Sequence, residues 1–119
     1  MVTKVLWTRD ALRELTIWLA GFIRDEIELR AIRGEFLDDI EDVLVETDGR
    51  PPHSYAVLAG GREVTVWEYV GRRLYLVFRR ETRPAGFVRR LFGRPDREIL
   101  IVATMRRPPT LPELESLPE

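Results

Sequence analysis

The hydrophobic period of this chain changes once, at Asp48-Gly49-Arg50-Pro51-Pro52, and no other feature constrains the fold as much. Before that point Leu12, Leu15, Trp18, Leu19, Phe22 and Ile23, then Leu29, Ile32, Phe36, Ile40, Val43 and Leu44, recur at helical spacing. Beyond it the apolar residues alternate, as half-buried strands require. A Gly followed by paired prolines cannot continue a helix, because proline lacks the N–H and its ring crowds the preceding turn. The chain therefore divides into a helical part and a sheet part.

Met1 to Trp7 carries β-type residues and predicts a first strand. Thr8 is suited to cap the next helix, with Asp10 in the first turn where the helix dipole favours an acid. Gly21 and Gly34 leave one bent helix or a helical pair open, and two helices meeting near Arg24 are expected. Ser54 to Ala59, Arg62 to Tyr69, Leu74 to Arg80 and Ile99 to Arg107 are expected strands, with Gly60-Gly61 as a hairpin turn and Gly71 as another. The order strand, two helices, four strands predicts a two-layer α+β domain, with an N-terminal strand and helical pair packed on a mainly antiparallel sheet. Residues 1–109 form that domain in this reading, and 110–119 are an acidic, proline-containing tail without fixed structure. The connection from Thr82 to Arg97 is long for so small a domain, which suggests a functional or mobile segment.

Composition removes several chemistries. Of the 119 residues none is cysteine, which excludes disulfides, thiolate zinc sites and a cysteine nucleophile. His53 is the single histidine, and Ser54 and Ser116 the only serines, so neither a two-imidazole metal site nor a Ser-His-Asp triad is expected. The acid-rich run Glu35 to Asp42 lacks calcium-loop spacing and suits a solvated helix face. No metal or cofactor is predicted. The chain contains neither Asn nor Gln, and 18 of its 19 basic residues are Arg, a composition seen in heat-adapted proteins. The longest apolar stretch, Ile17 to Ile23, is too short to cross a membrane, and no basic-then-apolar leader is visible, so a cytoplasmic location is expected.

The net charge of −1 is a cancellation. Residues 1–48 carry −6, residues 49–109 carry +8, and the last ten residues carry −3. Alternation within each strand groups Val64 and Val66 with Leu74, Leu76, Phe78, Ile99, Ile101, Ala103 and Met105 as an apolar core face. The complementary set contains Thr65, Trp67, Tyr69, Tyr75, Val77, Arg79, Leu100, Val102, Thr104 and Arg106. Such an aromatic, basic face suits single-stranded RNA, since guanidinium forks bind phosphates and aromatic planes stack on bases. The alternative is a cross-strand cluster of Trp67 and Tyr75 with solvated arginines. In Phe87-Val88-Arg89-Arg90-Leu91-Phe92 the apolar residues share one face of a helical turn and Arg89 and Arg90 the other. That pattern fits either a flap on a nucleic acid or a surface helix covering the core edge.

The segment Val66-Trp67-Glu68-Tyr69-Val70-Gly71-Arg72-Arg73-Leu74-Tyr75-Leu76-Val77-Phe78 and the closing strand Ile99-Leu100-Ile101-Val102-Ala103-Thr104-Met105-Arg106-Arg107-Pro108 resemble the RelE/ParE superfamily of bacterial toxins, including its HigB-type members. The resemblance implies a metal-independent endoribonuclease acting on messenger RNA at the ribosome, or a gyrase inhibitor, with a cognate antitoxin as protein partner. It implies Arg73, Tyr75, Arg79 and Arg106 as catalytic residues and Trp67, Tyr69, Arg72, Arg89, Arg90 and Arg107 as the RNA contacts. Cleavage by the 2′-hydroxyl needs a base, an acid and a cation for the pentavalent phosphate. The arginines supply the cation; Glu68 and His53 are the available bases. The alternative is a non-enzymatic regulator that docks on a protein through its acidic helices.

Overall fold

The computed structural model describes residues 2–82 and 97–117. A first strand, β1 (Val2–Trp7), leads into helix α1 (Arg9–Ala20), and a second helix, α2 (Glu26–Glu46), precedes β2 (Ser54–Ala59), β3 (Arg62–Val70), β4 (Leu74–Thr82) and β5 (Arg97–Met105). The helical region is thus a pair, turning between Ala20 and Glu26. Thr8 caps α1, its hydroxyl accepting from the Ala11 N–H at 3.2 Å, and the Asp25 carboxylate caps α2 by accepting from Glu28 N–H at 2.9 Å. Each cap satisfies one of the amide donors that the first helical turn leaves unpaired. Gly34 is absorbed inside α2 without a break.

The five strands form one open sheet in the order β1-β5-β4-β3-β2. β1 runs parallel to β5 and every other pair is antiparallel. The end of α2 is fastened to this sheet. Asp48 and Gly49 adopt positive φ, the Val2 N–H donates to the Asp48 carboxylate at 2.9 Å, and Arg80 donates to the Asp48 carbonyl. A Cβ on Gly49 would stand 2.9 Å from both the Arg80 guanidinium and Ile99 Cδ1, so only glycine fits where this turn meets the sheet.

Both faces of the sheet are buried. On the helical side Ala11, Leu15, Leu19, Ile40 and Leu44 pack against Trp67, Leu74, Leu76, Phe78, Ile99 and Ile101. Thr104 adds a buried hydrogen bond to the Ala11 carbonyl at 2.9 Å, joining β5 to α1. On the opposite side Val64, Val66, Tyr75, Val77 and Val102 are also buried, so this face is not the open surface expected from the sequence. Part of its cover is a short third helix, α3 (Leu111–Glu115), which lays Leu114 and Leu117 against it. The tail beyond residue 109 is therefore structured at least to Leu117. Its helix begins with Glu113 accepting from both the N–H and the hydroxyl of Thr110, and from Arg107 at 2.7 Å.

The expected sharing of faces fails at two places. Val66 pairs with Val77 and Trp67 with Leu76, so Val64 and Val66 lie with Tyr75 and Val77, and Trp67 lies in the helical core. In β5 the register jumps between Ile101 and Ala103, with Val102 the extra residue of a bulge. A bulge shifts the alternation by one position, so Ala103 and Met105 move to the tail-helix face and Thr104 to the helical face. Alternation is a property of one strand; which faces coincide between strands depends on their pairing.

Candidate nucleic-acid interface

The β3–β4 turn, Gly71-Arg72-Arg73, is built to expose two guanidiniums. Arg72 sits at φ 59°, and its N–H donates to the Glu68 side chain at 2.7 Å, while Arg73 N–H donates to the Val70 carbonyl at 2.8 Å. Local pinning of this kind fixes the turn and leaves both side chains in solvent. A bulge at Tyr69 brings Glu68 opposite Tyr75, on the tail-helix face. Tyr75 in turn pairs with Met105, the last residue of β5, so Arg106 and Arg107 leave the sheet beside Arg73. The result is a cluster of Arg72, Arg73, Arg106 and Arg107, all exposed, at one end of the sheet. Arg107 holds the Glu113 carboxylate of the tail helix.

Glu68, Tyr75 and Tyr55 form the polar floor beside these arginines. Burial pushes the Tyr75 hydroxyl above its ordinary value, and the nearby Glu68 carboxylate adds to this, with Arg72 opposing and Tyr55 reinforcing. Tyr75 thus keeps its proton throughout the neutral range. His53 sits at the same end, at φ 63°, its carbonyl accepting the Glu68 N–H at 3.0 Å. Phosphate groups meeting this corner would find several guanidinium forks within one short stretch of surface.

Other predicted residues lie elsewhere. Arg79 is four positions further along β4, about 13 Å away at strand rise, and binds Glu81 at 3.2 Å with its side chain mostly covered. It belongs to the opposite end of the sheet. Trp67 is 4% exposed and makes an edge-to-face contact with Tyr69 at 4.9 Å. Tyr69 also meets Phe36 edge-on at 6.0 Å, and its hydroxyl donates to the Asp39 carboxylate. Burial and that bond raise the Tyr69 hydroxyl far above its ordinary range. These two rings bind α2 to the sheet, which corrects their expected role as base-stacking platforms. Tyr75, buried at 5% exposure, presents no open ring face either. Arg89 and Arg90 lie outside the described residues.

Two features were not singled out from the sequence. Tyr55, on the neighbouring strand, reaches the site only through β2–β3 pairing, and no local pattern announces it. The tail helix did carry a signal, Thr110-x-x-Glu113, the capping-box spacing. Among the described residues no group of three or more His, Asp or Glu side chains is placed to hold a metal ion. No helix among them is long and apolar enough to cross a membrane. No protein family, curated protein or solved structure matches this chain.

Proposed function

We propose that this chain is an RNA-binding protein of the RelE/ParE-like toxin kind, gripping RNA phosphates with Arg72, Arg73, Arg106 and Arg107. One observation carries the reading: the β3–β4–β5 register gathers these four guanidiniums beside Glu68 and Tyr75. The reaction that fits this inventory is metal-independent strand cleavage. The 2′-oxygen attacks the adjacent phosphorus and gives its proton to Glu68. The phosphorus–O5′ bond breaks, and the leaving oxygen takes the Tyr75 proton. The products are a 2′,3′-cyclic phosphate and a 5′-hydroxyl, and the arginines balance the charge that builds on phosphorus.

The experiment is binding of a labelled single-stranded RNA across a salt series, followed by analysis of the RNA ends. We expect affinity to fall steeply as salt rises, because each neutralised phosphate releases counterions. Cyclic phosphate ends should form with wild type and be lost in Glu68→Gln. Weak binding with a flat salt response would reject RNA as the ligand; tight binding without cleavage would leave a binding protein and reject the enzyme.

The helices support a protein partner as well. Glu35, Asp38, Glu41, Asp42 and Glu46 are all exposed along α2, and no basic residue interrupts them. Such a surface repels nucleic acid and suits a basic segment, from a cognate antitoxin or from the target of a non-enzymatic regulator. Purification with a basic partner retained through α2, and released by Asp38→Lys with Asp42→Lys, would favour that second reading.

A further inference from the structure

We propose that β2 is a dimerisation edge: two copies of this chain join β2 to β2, antiparallel, into one continuous sheet. β2 is an outer strand of the sheet and, among the described residues, hydrogen-bonds only to β3. The His53 carbonyl accepts the Glu68 N–H, and antiparallel ladders alternate, so Ser54, Ala56 and Leu58 turn their N–H and C=O groups outward. A row of unused donors and acceptors of this kind is a template for another strand.

The residues on this edge make the template unusual. Ser54-Tyr55-Ala56-Val57-Leu58-Ala59 is the one strand of the five without a charged residue, and it contains no proline. Natural edges are normally blunted by such residues, and the other edge, β1, carries the exposed Lys4. On β2, by contrast, Leu58 is 72% exposed and Tyr55 48%.

Symmetry selects the occupant. A two-fold dimer sets the same patch of both copies face to face. Paired through α2 it would oppose two acidic surfaces, and through the arginine corner two basic ones. β2 meets itself without repulsion. With the two-fold axis normal to the sheet, faces are preserved, so Tyr55 and Val57 lie beside the partner's Tyr55 and Val57, and Ala56 and Leu58 beside the partner's Ala56 and Leu58. The two remaining edges of the joined sheet are then both β1, each with its lysine, so association stops at two copies.

Sedimentation of the full chain, without RNA, from low micromolar to about 100 μM tests this. The expected result is a concentration-dependent dimer. Leu58→Lys places like charges across the axis, and Ala56→Pro deletes an outward N–H that β3 does not use, a substitution edge strands tolerate. Each should weaken dimerisation at least about tenfold while far-UV circular dichroism stays unchanged. A wild-type monomer over the whole range would overturn the proposal. So would a dimer that survives both substitutions, or growth beyond two copies. Should Ala56→Pro fail to fold, Leu58→Lys still decides, because that side chain is largely in solvent.

Discussion

The two ends of β4 carry the same residue type and use it in opposite ways. At the start of the strand, Arg73 stands in solvent beside Arg72, Arg106 and Arg107. At its end, Arg79 is held by Glu81, and Arg80 is folded over the α2–β2 turn onto the Asp48 carbonyl. A buried or half-covered guanidinium must be hydrogen-bonded, because its desolvation is otherwise uncompensated. One that stays hydrated can exchange its waters for a ligand's phosphate. Arginine content therefore identifies a basic region but not a binding site; neighbouring acceptors separate structural arginines from available ones.

The strongest way to break this contrast is to remove the exposed pair. Arg73→Ala combined with Arg106→Ala should weaken RNA binding by about 10- to 100-fold and reduce the salt slope by roughly two, one per lost phosphate contact, in fluorescence anisotropy titrations. Melting temperature should hardly move. Equal loss from Arg79→Ala would dissolve the distinction.

The reverse pattern is expected at the other end. Gly49→Ala forces a side chain into a positive-φ position against Arg80 and Ile99, and should cost about 1–3 kcal/mol in urea unfolding. RNA affinity per folded molecule should stay constant. Arg79→Ala should be milder, losing about 1–2 kcal/mol through its broken hydrogen bond to Glu81, with RNA binding within about twofold of wild type. An Arg79→Ala variant that melts normally but fails to bind would place the site at the wrong end.

The smallest effect concerns Arg107, which is exposed yet already engaged. Its bond, with those from Thr110, holds the Glu113 carboxyl below the usual carboxylate range. A group with a depressed folded value stabilises above its unfolded pKa and loses that contribution as pH falls through the folded value. Hydrogen exchange at Leu114 and Ser116 should therefore stay slow above about pH 4 and quicken on further acidification. In Glu113→Gln that pH step should disappear. Exchange that ignores pH in both proteins would detach the tail helix from Arg107.

Much of the architecture is legible in the residues alone. The cap at Thr8, the apolar stripe from Leu29 to Leu44 and the Gly60-Gly61 hairpin are local signals, and each element forms where they indicate. The arginine corner is legible only as residues. Arg72, Arg73, Arg106 and Arg107 can be named from the chain, but their meeting depends on Tyr75 pairing with Met105 across more than twenty intervening residues. The aromatic face cannot be read correctly from alternation at all. Trp67 and Tyr75 both sit at odd positions in an alternating region, yet a Gly turn and a bulge at Tyr69 send them to opposite sides of the sheet.

The sequence by itself determined which segments are helix and strand, where helix gives way to sheet, and how charge divides between them. Those properties follow from period, capping and residue type, which act over a few neighbours. Only the tertiary structure decided which faces coincide, which arginines are occupied, and that the tail folds back as a helix. Register is a single offset shared by two distant strands, and one inserted residue inverts every side chain beyond it. No local pattern encodes that offset; packing on both sides of the sheet selects it.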